Sequence, residues 1–197
     1  NDPALPLVHQ EPEAGGYFFN IANAATGNFS IWAAPIAEKI YTTASPPAAT
    51  KDLTLFGAKG ELEPFQLVVR TPSTLSMTLS ASPLLHNNGT NSIGAGNIDF
   101  FRVDYVNITQ ISDFYGRTVL WPDPLYPVST GVPISFSADV NQPLWIRVRI
   151  PSSAVPGTYT GSISVGPAVI PYTLTVWNFI LPDKQYLENQ FGFDWDL

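Results

Sequence analysis

The segment Leu144-Trp145-Ile146-Arg147-Val148-Arg149-Ile150 decides the fold class. Its aliphatic residues recur at every second position, with Trp145 and two arginines between them. Because successive side chains of a β-strand point to opposite faces, this pattern predicts a strand with one buried and one exposed face. Trp145 falls on the exposed face, so we expect it either to be covered by another segment or to stand in solvent.

The same period of two recurs along the chain, most clearly in Thr158–Val165 and in Ile170–Asn178. We expect Tyr159 to be buried between two sheets and Gly161 to let a neighbouring group approach closely. Pro and Gly interrupt every long segment that has a helical period. The sequence therefore predicts an all-β protein, an antiparallel two-sheet β-sandwich of the immunoglobulin-like or jelly-roll-like kind.

Proline and glycine also mark the expected domain boundaries. Residues 1–16 hold three prolines and end in Gly-Gly, which predicts an extended leader or linker. Residues 17–182 are the predicted sandwich, and residues 183–197 are predicted to be a linker and the first strand of a following domain. Within the sandwich, the segment from Asp113 to Asp139 mixes prolines with aromatic residues. It predicts one long ordered loop.

Composition excludes several classes of partner. The chain has 197 residues, 9 Lys and Arg against 16 Asp and Glu, and no Cys. Such an acidic chain cannot neutralise a run of phosphates, and no segment approaches the roughly 18 apolar residues of a membrane helix. We therefore expect neither nucleic acid binding nor membrane insertion. The low charge, the missing cysteine and three N-x-Ser/Thr glycosylation candidates, at Asn28, Asn88 and Asn107, favour a secreted protein, extracellular or periplasmic.

No residue set in the sequence indicates a catalytic or cofactor site. The two histidines are His9, in the leader, and His86, in an Asn- and Gly-rich stretch that we expect to be a mobile connection. We predict no cofactor and no metal centre. Asp113, Asp123 and Asp139 are weak candidates for a structural calcium ion, since carboxylates suit a hard cation, but turn capping is the commoner use of such residues.

Aromatic side chains in or beside the predicted loop are the stronger functional signal. Sugar rings present apolar faces that stack on Trp and Tyr, while uncharged polar neighbours bind their hydroxyls. Tyr115, Trp121, Tyr126 and Trp145 are therefore candidates for binding carbohydrate. Docking onto a neighbouring domain and ordinary core packing remain the alternative interpretations.

Several longer motifs occur in a characteristic order. They are GELEPFQLVV at 60–69, DFYGR at 113–117, WPDPL at 121–125, NQPLWIRVRIPSSAVPGTYTG at 141–161, LTVW at 174–177 and FGFDW at 191–195. In this order they resemble the N-terminal β-sandwich domain of large, mostly bacterial, exported proteins similar to glycoside hydrolase family 123. The resemblance extends over residues 36–197.

The resemblance implies a role next to a catalytic domain. In such proteins a (β/α)8 barrel follows the sandwich and carries an adjacent Asp-Glu pair, a dipeptide that this chain lacks. The expected function is therefore a non-catalytic accessory domain of a glycoside hydrolase-like, carbohydrate-active protein, which packs against the barrel or shapes its cleft. A free-standing carbohydrate-binding module and a self-assembling structural subunit of an extracellular assembly are the alternatives.

Overall fold

The alternating segments form strands in the computed structural model, which describes residues 17–23, 27–46, 52–110 and 118–182, with side chains from residue 29 onward. Within these ranges there are fourteen strands and one short 3-10 helix, Ala95–Asn97. The strands are β1 Tyr17–Asn23, β2 Gly27–Ala34, β3 Leu53–Lys59, β4 Leu62–Arg70, β5 Leu75–Met77, β6 Leu79–Ala81, β7 Leu84–His86, β8 Ser92–Ile93, β9 Ile98–Asn107, β10 Leu120–Val128, β11 Ile134–Phe136, β12 Gln142–Arg149, β13 Gly157–Val165 and β14 Ala168–Ile180.

The strands make two large sheets and one small pair. The first sheet has the order β1-β2-β4-β12-β9-β10, and the second has the order β3-β14-β13-β7-β8, with β6 also paired to β13. The strands β5 and β11 form a separate two-stranded ladder. The two-sheet, all-β prediction is confirmed. All strand pairs are antiparallel apart from β3 and β14, which run parallel.

The core lies between the two large sheets. Leu144, Ile146 and Val148 of β12 are completely buried, as their spacing predicts, and they join one apolar cluster with residues from both sheets. Tyr159 is buried in the same cluster, and a Cβ atom on Gly161 would stand 2.9 Å from Cδ2 of Leu84. The predictions for Tyr159 and Gly161 are therefore confirmed. At both positions the sequence pattern correctly predicted a close contact between parts of the chain that are distant in sequence.

The prediction of one long loop from 113 to 139 is wrong over two stretches. Leu120–Val128 forms β10 and Ile134–Phe136 forms β11. Despite three prolines, β10 is possible because it is an edge strand, so each proline can turn its missing N–H away from the ladder. A register shift between Pro122 and Leu125 absorbs the remaining irregularity.

The prediction that His86 lies in a mobile connection is also wrong. His86 ends β7 and is 7% exposed, and its ring packs edge-on against Tyr159 with 4.7 Å between centroids. The backbone N–H of Asn88 donates to Nδ1 at 3.0 Å, so Nε2 carries the proton and donates to the Pro156 carbonyl at 3.1 Å. A Cβ atom on Gly157 would collide with this ring. His86 is therefore a structural residue of the core edge.

The predicted leader 1–16 and the predicted segment 183–197 lie outside the described residues. The domain boundaries therefore stay predictions. In the described part of the chain no helix is both long enough and apolar enough to span a membrane.

Candidate functional site

Residues 35–46, here called the strap, cross the outer face of the first sheet. The short apolar segment Glu38–Thr43 could be expected to form a strand, but it forms turns and extended backbone without a ladder. Gln66 of β4, 4% exposed, explains its position: its Nε2 donates to the carbonyl oxygens of Pro35 at 2.7 Å and Glu38 at 2.9 Å. A buried amide in a central strand thus binds the first turn of the strap to the sheet.

Asn141, completely buried just before β12, holds the second half of the strap. Its Nδ2 donates to the carbonyl oxygens of Tyr41 at 2.9 Å and Ala44 at 2.7 Å, and its backbone N–H donates to the Thr42 carbonyl at 2.9 Å. Its Oδ1 accepts a hydrogen bond from Arg70 at 3.3 Å. Every polar atom of this side chain therefore has a partner, which is what its complete burial requires.

Tyr105 of β9 provides a third point of attachment. Its hydroxyl lies 3.1 Å from the carbonyl oxygen of Ile40 and 2.9 Å from that of Asn141, so its single proton can be donated to either. Burial raises the pKa of the Tyr105 phenol well above its usual range, and the nearby Asp104 carboxylate raises it further. The hydroxyl is therefore protonated, and can donate, at neutral pH.

Apolar contacts complete the attachment of the strap. Ile40, 2% exposed, packs on the outer face of the first sheet in a small second cluster with Trp32, Ala34 and Val68. The strap is therefore a permanent layer of the fold. It gives one side of the sheet a fixed wall.

A groove of about 240 Å³ lies between this wall and the strands β9 and β10. Trp145 lines it, half-buried and opposite Phe101 of β9 in the sheet register. Val103 and Leu125 add apolar surface, and Glu38 also lines the groove. We predicted that Trp145 is either covered by another segment or exposed. The structure shows a partly covered side chain, which the strap borders on one side and which is open on the other. An aromatic ring with polar neighbours in a preformed groove can accept the apolar face of a small polar ligand.

Lys39 closes one end of the groove. Its Nζ donates to the Pro122 carbonyl and to Oδ1 of Asp123, both at 3.2 Å, and lies 5.9 Å from the ring centroid of Trp121. Trp121 in turn packs edge-on against Tyr41 of the strap, with 5.9 Å between centroids. Trp121 therefore supports the rim, whereas Trp145 lines the groove. The Lys39–Asp123 pair is exposed and contributes little to stability.

The other two aromatic candidates do not join this groove. Tyr126 is 52% exposed and lies opposite Arg102 in the register of β9 and β10, with the guanidinium 5.8 Å from its ring centroid. Phe101, which precedes Arg102 in β9, lies opposite Trp145 and therefore shares its face of the sheet. Because successive residues of a strand point to opposite faces, Arg102 and its partner Tyr126 are on the other face. Tyr126 and Trp145 are thus on opposite faces of the sheet. Tyr115 lies outside the described residues.

A charged cluster occupies the same outer face further along β12. Oδ2 of Asp99 accepts from Arg147 and from Arg149, each at 2.8 Å, and Arg147 also covers the ring of Phe101 at 5.1 Å. Burial by itself would raise the pKa of Asp99, but hydrogen bonds and charge from the two guanidinium groups lower it below its usual value. Arg147 also lines a second depression, together with Phe101 and Pro127.

The calcium candidates do not form a site in the part of the chain that the structure describes. No three acidic or histidine side chains there are grouped to hold a metal ion. Asp123 pairs with Lys39, and Asp139 has a positive φ of 57° while its N–H donates to the Thr71 carbonyl. Asp113 is outside the described residues. The Asp123 carboxylate therefore has an ion-pair partner, and a calcium role for the three aspartates stays a prediction.

The glycosylation candidates are placed as follows. Asn88 is exposed in the turn after β7, where its Oδ1 accepts from the N–H groups of Thr90 at 3.0 Å and Asn91 at 3.2 Å. Asn107 is exposed at the end of β9, and Asn28 belongs to β2. Their modification stays a prediction.

A second aromatic group was missed by the sequence analysis. On the outer face of the second sheet, the ring of Trp177 stacks against Phe56 at 6.4 Å and against Phe179 at 5.8 Å, with interplanar angles of 22° and 15°. We call these three residues the aromatic ladder. The available signal was the period of two in β14, which places Thr173, Thr175, Trp177 and Phe179 on one face.

The fold and the groove define a β-sandwich domain with a preformed surface site. The family model of the glycoside hydrolase 123 N-terminal domain matches residues 38–166. The chain belongs to this family. The resemblance inferred from the sequence motifs is therefore confirmed.

One solved structure gives a measure of the likeness. It is described as a family 123 glycoside hydrolase from Clostridium perfringens, studied for glycolipid glycan hydrolysis, and it matches with a TM-score of 0.50 and 24% sequence identity. The match covers 66% of this chain and 23% of that chain, so the chain spans less than a quarter of that protein. No curated protein matches the chain.

Proposed function

We propose that this chain is a non-catalytic accessory β-sandwich of a glycoside hydrolase-like, carbohydrate-active protein, and that it packs against a catalytic (β/α)8 barrel. The observation that carries the proposal is the family match over residues 38–166, a family named as an N-terminal domain of glycoside hydrolases. The absence of an Asp-Glu dipeptide from the sequence agrees with a catalytic pair located elsewhere in the protein.

Comparing the 197-residue chain with the full protein tests this function. We expect the full protein to hydrolyse a chromogenic aryl glycoside from a panel of neutral and N-acetylated sugars, and the 197-residue chain to hydrolyse none. Turnover by the chain alone would contradict the accessory role. Failure of the full protein to hydrolyse any member of the panel would contradict the glycosidase assignment of the parent.

The groove supports a second candidate function, a carbohydrate-binding module. Trp145 presents a partly open ring between the strap and Leu125, and Glu38, Lys39 and Asp123 supply polar groups at its rim. An aromatic surface with polar groups at its edge is the arrangement that binds a pyranose ring. The volume of about 240 Å³ is below the usual range of 300–1,000 Å³ for ligand pockets, so the groove suits one sugar ring.

Affinity electrophoresis in gels that contain hydroxyethylcellulose or soluble starch tests the binding function. We expect Trp145→Ala to abolish retardation of the chain with little change in its melting temperature. Tyr126→Ala is the matched control, because this exposed ring lies on the opposite face of the same sheet. Equal retardation of the wild-type chain and the Trp145→Ala variant would contradict a sugar site in the groove.

We also propose that the protein is secreted, because its low charge, lack of cysteine and three sequons suit an exported protein. Fractionation of the native organism into cytoplasm, periplasm and medium tests this. Recovery of the mature protein from the cytoplasm alone would contradict it.

A further inference from the structure

Exposed apolar side chains gather where the last strand leaves the sandwich. Phe56 is 45% exposed, Phe179 51%, Ile180 52% and Leu181 39%, while Trp177 is half-buried between the two phenylalanines. We call these five residues the exit patch. A contiguous apolar surface on a soluble protein marks an interaction site more often than scattered exposed residues do.

The backbone of the exit patch is open on one side. The pairing of β14 with β13 ends at Val176, opposite Gly157, whereas β14 continues to Ile180. On its other side β14 pairs with β3 up to Val176, opposite Gly57, and again at Ile180, opposite Lys59, with a register shift between these two pairs. Within the described residues, Trp177–Phe179 therefore presents two aromatic side chains and the polar side chain of Asn178, together with a strand edge that β13 does not cover. Such an edge is normally protected in a mature protein.

The strands next to the aromatic ladder carry hydroxyl residues, with Lys59 as a charged neighbour of Ile180. Hydroxyl residues fill the rows beside the aromatic ladder: Thr54 contacts Thr173 at 3.3 Å between hydroxyl oxygens, and Thr158 lies opposite Thr175. By contrast, the outer face of the first sheet carries the cluster of Asp99, Arg147 and Arg149. A low-charge, apolar surface is the kind that forms the centre of a protein interface.

We infer that the exit patch is the surface on which the domain that follows residue 182 in the protein docks. This inference rests on the proposed accessory function and identifies the face that makes the contact. The chain leaves β14 at the patch itself, so any following domain is held beside it at a high effective concentration. The matched part of the family 123 structure is 23% of that chain, which leaves most of such a protein to make the contact.

A glycan is the less favoured occupant of the patch. The three rings pack against one another, and Ile180 and Leu181 extend the surface with aliphatic groups. A sugar site needs polar groups that converge on the ligand, which the groove around Trp145 offers and the exit patch does not. The patch is therefore suited to an apolar protein surface.

Hydroxyl-radical footprinting of the full protein and of the 197-residue chain tests the inference. We expect oxidation of Phe56, Trp177 and Phe179 to fall several-fold in the full protein. Oxidation of Leu85, which is 59% exposed on β7 of the same sheet, serves as the internal reference and is expected to stay unchanged. Equal oxidation of the exit patch in both forms would overturn the inference.

The outcome also separates this inference from the proposed function. Protection of Trp121, Tyr126 or Trp145 instead of the patch would show that the domains pack through the first sheet, which overturns the inference and keeps the accessory function. Protection of neither surface would contradict both. Protection of the patch in the 197-residue chain only after addition of hydroxyethylcellulose or soluble starch would make it a glycan site and overturn the inference.

A double variant checks the energetic consequence. Phe56→Thr with Phe179→Thr replaces each aromatic residue by a β-branched one, which also favours strands, and is expected to leave the unfolding midpoint of the 197-residue chain unchanged. In the full protein it is expected to lower the midpoint or to separate one transition into two. Val169→Thr, 62% exposed at the other end of β14, is the matched control and is expected to do neither. An identical midpoint for the double variant and the control in the full protein would contradict docking at the patch.

Discussion

The outer faces of the two sheets differ in how they are completed. The strap covers part of the first sheet, and buried Gln66 and Asn141 together with the Tyr105 hydroxyl bind it to the strands. The second sheet has no such layer in the described residues, and the aromatic ladder stands on it partly exposed. The comparison shows that, within the described residues, a local segment buries part of one outer surface, while the other outer surface stays partly exposed.

The buried amides explain why the covered face is a permanent part of the fold. Each one replaces water around backbone carbonyls of the strap, and each would be left unsatisfied if the strap moved away. In the part of the chain that the structure describes, the open face has no corresponding polar anchor for another segment. Substitutions under the strap should therefore affect the isolated chain strongly, and substitutions on the ladder should affect it weakly.

The largest expected effect is that of Asn141→Ala. The variant loses the two side-chain hydrogen bonds to the strap and the one to Arg70, all within a completely buried site. We expect the free energy of unfolding to fall by about 3 kcal/mol, measured by urea denaturation. The amides of residues 36–45 should also exchange faster with deuterium.

The control for Asn141 is Asn87→Ala, which changes the same residue type at an exposed position in the turn after β7. It is expected to leave both the stability and the exchange of the strap as in the wild type. A loss of less than about 1 kcal/mol in Asn141→Ala would show that the strap is held by its apolar contacts alone.

Tyr105→Phe is expected to have an intermediate effect, a loss of about 1 kcal/mol, because one shared hydroxyl donor to Ile40 and Asn141 disappears while the ring remains. Deuterium exchange should accelerate in the strap and not in the second sheet. Acceleration in both sheets would mean that Tyr105 supports the whole core rather than the strap.

Asp99→Asn is expected to cost about 1 kcal/mol near neutral pH, a value reduced because Arg149 is half exposed to solvent. The folded-state pKa of Asp99 is lowered, so its contribution is present above the pKa of the unfolded chain and is lost as pH falls through the folded-state pKa. Urea denaturation at a series of pH values should show the variant and the wild type converging in acid. A difference that stays constant down to the acid limit would contradict the ion-pair explanation.

Phe179→Thr should have the smallest effect on the 197-residue chain, within about 0.5 kcal/mol of the wild type, since half of this side chain is already in solvent. Val68→Thr provides the contrast on the covered face. This residue is completely buried under the strap, and its new hydroxyl should cost about 1–3 kcal/mol. Equal losses in the two variants would remove the distinction between the two faces.

Much of the fold was predictable because it depends on period-two patterns. The alternation in Leu144–Ile150 identified a half-buried strand, and Tyr159 and Gly161 were correctly placed between strands. The position of β10 was missed because proline excludes a central strand but not an edge strand, and edge position is a property of the sheet. His86 was missed because the polar stretch after it concealed the end of β7.

The candidate site was predictable only in part. Trp145 was singled out correctly as the residue on the exposed side of β12, but the groove depends on the strap, whose anchors Gln66 and Asn141 lie far from it in sequence. The aromatic ladder combines Phe56 of β3 with two residues of β14. These strands pair in parallel across the sheet, and no local pattern reports that pairing.

The sequence by itself determined the all-β class, the buried face of each long strand and membership of the glycoside hydrolase 123 N-terminal domain family, because local alternation and short motifs carry that information. Tertiary structure alone decided which exposed aromatic residues stand together and which face is covered. Strand pairing and buried long-range hydrogen bonds join residues that are distant along the chain, and their positions follow from how the two sheets assemble.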